Sequence, residues 1–223
     1  MKTNKEKIFW VILVVILVLI LDQASKFWIK TQMNYGEEFL IFGQSWARIH
    51  FVENEGMAFG MAFGGKWGKI FLTLFRVFAA LFLVYLIHTL LKVKERLGLL
   101  ISLGLILAGA LGNIIDSLFY GVLFSESSVY GEPAVFMPEG GGYGPFLMGK
   151  VVDMLYFPLF SFTWPEFLPF WGGEKFEFFK PVFNIADSAI SIGVAMLLLF
   201  YRDFFVSQKE NTSSSTQPQT EDL

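Results

Sequence analysis

The sequence predicts an α-helical integral membrane protein with four transmembrane helices, a small extracytoplasmic β-sheet or cradle, and a long extracytoplasmic loop. Composition is the first reason. Apolar residues make up 54% of the 223-residue chain and charged residues only 17%, where soluble domains carry about 25% charge. Patterning is the second. The apolar residues gather into runs approaching the roughly 20 that cross a hydrocarbon core. Basic clusters at one set of run ends are the third.

The elements follow in chain order. The run FWVILVVILVLIL, 9–21, continues through DQASKFWI. Its basic head MKTNKEK would suit a cleaved signal peptide. Apolar character resumes at FWI and no A-x-A site follows, so a retained helix is expected. Residues 34–65 contain FLIFGQSWARIHFVENEGMAF, whose β-branched and aromatic residues, broken by Gly, read as a sheet or hairpin. Two further spans run from about Trp67 to Leu91 and from about Leu97 to Tyr120. Residues 121–181 form a long connection rich in Gly, Pro and aromatics. Within it, FPLFSFTWPEFLPFWGG is too interrupted by proline for a span, and its Trp and Phe fit an interfacial belt. The last span runs from about Val182 to Tyr201. The polar stretch NTSSSTQPQTED is expected to be disordered. The chain thus divides into a membrane domain, 1–206, and a cytoplasmic tail, 207–223.

Four spans put both termini on one side. Lys2, Lys5 and Lys7 precede the first, Lys92, Lys94 and Arg96 lie between the second and third, and Arg202 follows the last. These place the termini in the cytoplasm, although Lys26, Lys30, Lys66, Lys69 and Lys180 stand near the opposite ends. A net charge of −3 gives no basis for nucleic-acid binding. The absence of cysteine excludes disulfides, thiolate metal sites and a cysteine nucleophile. The only histidines, His50 and His88, are far apart in sequence, so no metal is expected. Carboxylates are the abundant reactive groups that remain.

Polar residues at membrane depth are functional candidates. GALGNIIDSLFYG and FNIADSAIS both contain Asn-Ile-x-Asp, giving Asn113 with Asp116 and Asn184 with Asp187. Spacing of i,i+3 puts each pair on one helix face, near the outer surface. Helix-packing polar contacts are the plain alternative. Asp153 lies in the apolar setting GKVVDMLYF, where a strand-end aspartate is equally open. Asn54 and Gly56 sit in VENEGMAFG. Asp22 and Lys26, four apart, read as a structural ion pair. Arg76, inside the second span, needs a carboxylate partner or must snorkel.

DQASK, ENEGMAFG, GALGNIID, VVDM and FNIADS occur in that order across residues 8–201. Together they resemble the motifs of the lipoprotein signal peptidases, or signal peptidase II. The resemblance implies an aspartyl protease of the bacterial cytoplasmic membrane that removes signal peptides from diacylglyceryl-modified prolipoproteins, cutting before the lipidated cysteine. It implies Asp153 and Asp187 as catalytic residues and Asn54, Gly56, Asn113, Asp116 and Asn184 as substrate-binding or supporting residues. Asp22 and Lys26 fall to structural support. Membrane lipids are the other implied partner, no cofactor is needed, and a monomer is expected.

Two departures stand out. Arginine usually follows GNxxD in the family, and here Ser117 does; Arg76 or Lys150 are the available replacements. A segment of about 28 residues, around 122–149, also separates GNxxD from VVD. It contains EGGGYG, which looks flexible, and reads either as a tolerated surface insertion or as a lid. The rival function is a small proton- or ion-coupled transporter, since intramembrane Asp residues also mark ion paths. A catalytically inactive scaffold is a third reading.

Overall fold

In the computed structural model residues 2–55 and 65–202 are described; Gly56 and the 207–223 tail lie outside them. Helix α1, Asn4–Gln32, starts at a capping box in which Thr3 and Glu6 satisfy each other's backbone N–H groups. Helix α2 is Gly65–Lys92 and α3 is Leu97–Ile115. The latter runs on through a π-helical turn, Asp116–Tyr120, into the short α4, Gly121–Leu123. Helix α5 is Ile185–Phe200. Three helical stretches, Asn4–Gln32, Gly65–Lys92 and Leu97–Leu123, are long and apolar enough to cross a membrane, and α5 is apolar but shorter. The last helix therefore starts at Ile185 rather than near Val182, because Val182–Phe183 is a strand, β6.

The third stretch is central: 61% of its most apolar window is buried, against 11% and 17% for the first two. The outer helices thus turn apolar side chains toward lipid, while Leu99, Leu100, Leu103 and Leu107 pack with Val11, Ala80, Ile87, Leu90 and Leu197. Helix α5 buries Ala186, Ala189, Gly193 and Leu197, a single helical face. Small residues let its backbone meet α3. A Cβ on Gly109 would lie 2.2 Å from the Ala186 carbonyl oxygen, and one on Gly193 2.6 Å from that of Ser102.

Strands β1, Glu38–Leu40, β2, Arg48–Asn54, and β3, Val151–Tyr156, join β6 in an antiparallel sheet of order β1-β2-β3-β6. Strands β4, Phe160–Thr163, and β5, Lys175–Phe178, form a separate hairpin. Strand β3 is buried on both faces over Val151–Met154, and its side chains alternate between them. Val152 and Met154 pack with Ile29, Met33, Phe51, Tyr120 and Phe124, so Asp153 takes the opposite face.

The glycine-rich stretch before β3 is pinned rather than loose. Tyr143 N–H donates to the Phe124 carbonyl at 2.9 Å, Gly144 N–H to Gly121 at 2.8 Å, and Gly149 N–H to Ser117 at 2.9 Å. A Cβ on Gly149 would lie 1.9 Å from the Asp116 carbonyl oxygen, so only glycine allows this approach. The 122–149 segment accordingly packs on the end of α3, with Phe124 in the core.

Candidate active site

Strand register builds the first half of the site. Val52 faces Asp153 and Asn54 faces Val151, so Asn54 is the diagonal neighbour of Asp153 on one face. A one-residue register shift between Ile49 and Val52 sets this alignment. Asn54 Nδ2 donates to Asp153 Oδ2 at 3.3 Å. The second half comes from the start of α5. Asn184 is its N-cap, and its Oδ1 accepts from Asp187 N–H at 2.9 Å while Asp187 Oδ2 accepts from Asn184 N–H at 3.3 Å. This is a capping box, so the expectation that Asn184 and Asp187 share a helix face is wrong: Asn184 has extended backbone, outside the helix.

Two asparagines join the halves. Asn184 Nδ2 donates to Asp153 Oδ1 at 2.7 Å and to Asn113 Oδ1 at 3.1 Å. Asn113 Nδ2 donates to Asp187 Oδ1 at 2.8 Å. Asp153 and Asp187 are therefore held by one amide network, with Asp153 buried and Asp187 half-buried.

Below this network Lys26 is fully buried. Its Nζ lies 2.9 Å from Asp22 Oδ2, 2.8 Å from Asp116 Oδ2 and 2.9 Å from Asn113 Oδ1. The carboxylates reach onward. Asp22 Oδ1 accepts from Ala186 N–H at 2.9 Å, satisfying a free donor in the first turn of α5. Asp116 Oδ2 accepts from Val152 N–H at 3.3 Å. Helices α1, α3 and α5 and strand β3 are thus tied at one cation. Gln23 completes the layer, donating to Asp116 Oδ1 at 2.9 Å and accepting from the Tyr120 hydroxyl at 3.3 Å.

Burial, with the negative charge of Asp187 second, pushes the Asp153 carboxyl up to about 7. The hydrogen bond from Asn54, the charge of Lys26 and the hydrogen bond from Asn184 pull the other way. Arg76 of α2 is near enough for its charge to act on Asp187, Asp153 and Asp116. Lys150 is committed elsewhere, 2.5 Å from Glu126 and 3.6 Å from Glu53. Ser117 turns its hydroxyl back to the Asn113 carbonyl at 2.9 Å. Arg76 and Lys26 are thus both cations whose charges reach the carboxylate site.

Sequence reasoning passed over Gln23, Tyr120, Lys30 and Glu53. Gln23 stood inside the DQASK motif, and Lys30 lies one helical turn beyond Lys26. That was the available signal for both. Lys30 pairs with Glu53 and hydrogen-bonds Ser127 at 2.8 Å, a second buried charge cluster that ties the 122–149 segment to α1 and β2.

Apolar helices topped by a small sheet, with a carboxylate from each meeting at their junction, define an integral membrane protein suited to paired-carboxylate chemistry. Residues 14–202 match the family model described as signal peptidase (SPase) II. A lipoprotein signal peptidase of Porphyromonas gingivalis is 51% identical over 84% of this chain and 80% of its own length. One from Amoebophilus asiaticus is 35% identical over 83% and 75%. A bacterial membrane enzyme solved at 1.9 Å resolution by the in meso method superposes with a TM-score of 0.55, at 27% identity, over 86% of this chain and 92% of that one. The chain belongs to the signal peptidase II family and is a protease.

Proposed function

We propose that the chain removes the signal peptide from diacylglyceryl-modified prolipoproteins, cutting just before the lipidated cysteine, with Asp153 and Asp187 as its catalytic carboxylates. The observation that carries this reading is the convergence of both aspartates on Asn184, with Asn113 bridging Asn184 to Asp187. Two close carboxylates share one proton and titrate as a unit. The ionised member takes a proton from the attacking water as its oxygen adds to the scissile carbonyl. The protonated member gives its proton to the carbonyl oxygen. The tetrahedral intermediate then collapses, the C–N bond breaks, and a proton passes to the leaving amine. Acid–base help of this kind supplies about 10²–10⁴-fold for each positioned group.

Asn54 and the amides of Asn113 and Asn184 orient the pair or meet the substrate backbone, and Gly56 belongs to the same motif as Asn54. Asp116, Asp22 and Lys26 hold the frame. The basic clusters at Lys2, Lys5, Lys7 and at Lys92, Lys94, Arg96 favour cytoplasmic termini in the inner membrane. The site then lies at the outer leaflet surface, open sideways so that acyl chains stay in lipid, and a monomer suffices. The transporter reading gains no support from the family match.

The test offers the purified chain a diacylglyceryl-modified prolipoprotein and, separately, its unmodified precursor, with cleavage read by gel shift. Cleavage confined to the lipidated form is expected. Equal cleavage of both, or none by folded protein, would overturn the substrate assignment.

A further inference from the structure

Hairpin β4–β5 plays no part in the carboxylate site. Its register pairs Phe160 with Phe178, Ser161 with Glu177, Phe162 with Phe176 and Thr163 with Lys175. Directly opposed residues share a face, and side chains alternate along each strand. One face therefore carries four phenylalanines and the other carries Ser161, Thr163, Lys175 and Glu177. Phe160 stacks on Phe178 at 4.8 Å and Phe162 meets Phe176 at 5.0 Å, yet each of these rings is 36–53% exposed. The polar face has a partner within the fold, because the Tyr156 hydroxyl on β3 donates to Glu177 at 3.2 Å. The turn beyond carries Phe167 and Phe170, more than 80% exposed.

The length of α5 sets the depth of this element. Sixteen residues rise about 24 Å, and a hydrocarbon core is about 30 Å thick. With Tyr201 and Arg202 at one interface, Ile185 ends short of the other. Strand β6 precedes the N-cap Asn184, and only residues 179–181 separate β6 from β5. The hairpin base is therefore anchored at the boundary between hydrocarbon and headgroups, the level at which aromatic belts lie. Its charges nearly cancel, with Glu166, Glu174 and Glu177 against Lys175 and Lys180, so burial of the rings, not attraction to anionic lipid, supplies the binding.

We propose that the phenylalanine face of β4–β5 lies in the bilayer interface on the side of the carboxylate site, with Ser161, Thr163 and Lys175 turned to water. The occupant of this face is lipid, continuous with the lipid around the outward-facing apolar residues of α1 and α2.

The chain has no cysteine, so single-cysteine variants report without background. Phe160→Cys and Phe176→Cys on one face, and Ser161→Cys and Thr163→Cys on the other, are labelled with a polarity-sensitive fluorophore in the full chain in phosphatidylcholine vesicles. Blue-shifted emission quenched by lipid-borne nitroxide is expected at 160 and 176. Red-shifted emission quenched by aqueous iodide is expected at 161 and 163. High salt leaves the pattern unchanged. Phe178→Cys gives a second reading of the aromatic face if a label at 160 or 176 disturbs folding. Iodide quenching on both faces would overturn the proposal. So would shielding of the aromatic face from both quenchers, which would mean that protein covers it.

Discussion

Lys26→Met keeps most of the side-chain volume and removes the one cation between Asp22 and Asp116. All three side chains are buried, and the lysine lies within 2.9 Å of both carboxylates and of Asn113. Breaking a buried pair by deleting one partner costs roughly 3–5 kcal/mol, because the remaining charge is left without compensation. Here two carboxylates lose their partner, which points to the upper part of that range. A chain of this size shifts its melting temperature by about 2–4 °C per kcal/mol, so a loss of about 4–5 kcal/mol is expected to lower it by roughly 8–20 °C. Intrinsic tryptophan fluorescence on heating in detergent reads it, since the chain has 6 tryptophans. The double variant Lys26→Met/Asp116→Asn recovers part of the loss by removing one stranded charge. A single variant that melts with wild type, or a double variant whose loss is the plain sum of the singles, would refute the reasoning.

The raised Asp153 carboxyl makes both stability and rate depend on pH. Its folded value of about 7 exceeds the unfolded value of about 3.9, so the folded state binds the extra proton. The sign is then fixed: this group's contribution to stability is fully present below about 4 and is lost as pH rises to about 7. Melting curves across that range are expected to show the fall, flattened in Asp153→Asn. Cleavage is expected to decline as pH rises through about 7, when the shared proton is lost. Arg76→Gln removes a cation that acts on Asp153, so it is expected to lower the rate and move that alkaline limb to higher pH; an unmoved limb would exclude this role. Gly149→Ala forces a methyl against the Asp116 carbonyl and is expected to destabilise by about 1–3 kcal/mol, read by the same melting assay.

The helices were legible because hydropathy over about 20 residues reports burial in lipid directly. The start of α5 was not, because Val182 and Phe183 are as apolar as the span they precede. The Asn184–Asp187 spacing admits both a shared helix face and a capping box, and only the extended backbone of Asn184 separates them. Asp153, Asp187, the three asparagines around them and the Asp22–Lys26–Asp116 group were named from motifs, but Gln23 and the connections among them were not. Asp22 reaches Ala186 N–H and Asp116 reaches Val152 N–H across the fold, contacts that no local spacing encodes. The glycines of 140–149 misled for a related reason. Glycine signals either freedom or close approach, and at Gly149 the neighbouring backbone decides for close approach.

The most direct measurement is single-turnover cleavage of lipidated prolipoprotein by Asp153→Asn and Asp187→Asn, each checked for a wild-type-like melting curve. Loss of cleavage in both folded variants is the expected result. Near-normal cleavage by either one, still folded, would contradict the assignment of Asp153 and Asp187 as the catalytic pair.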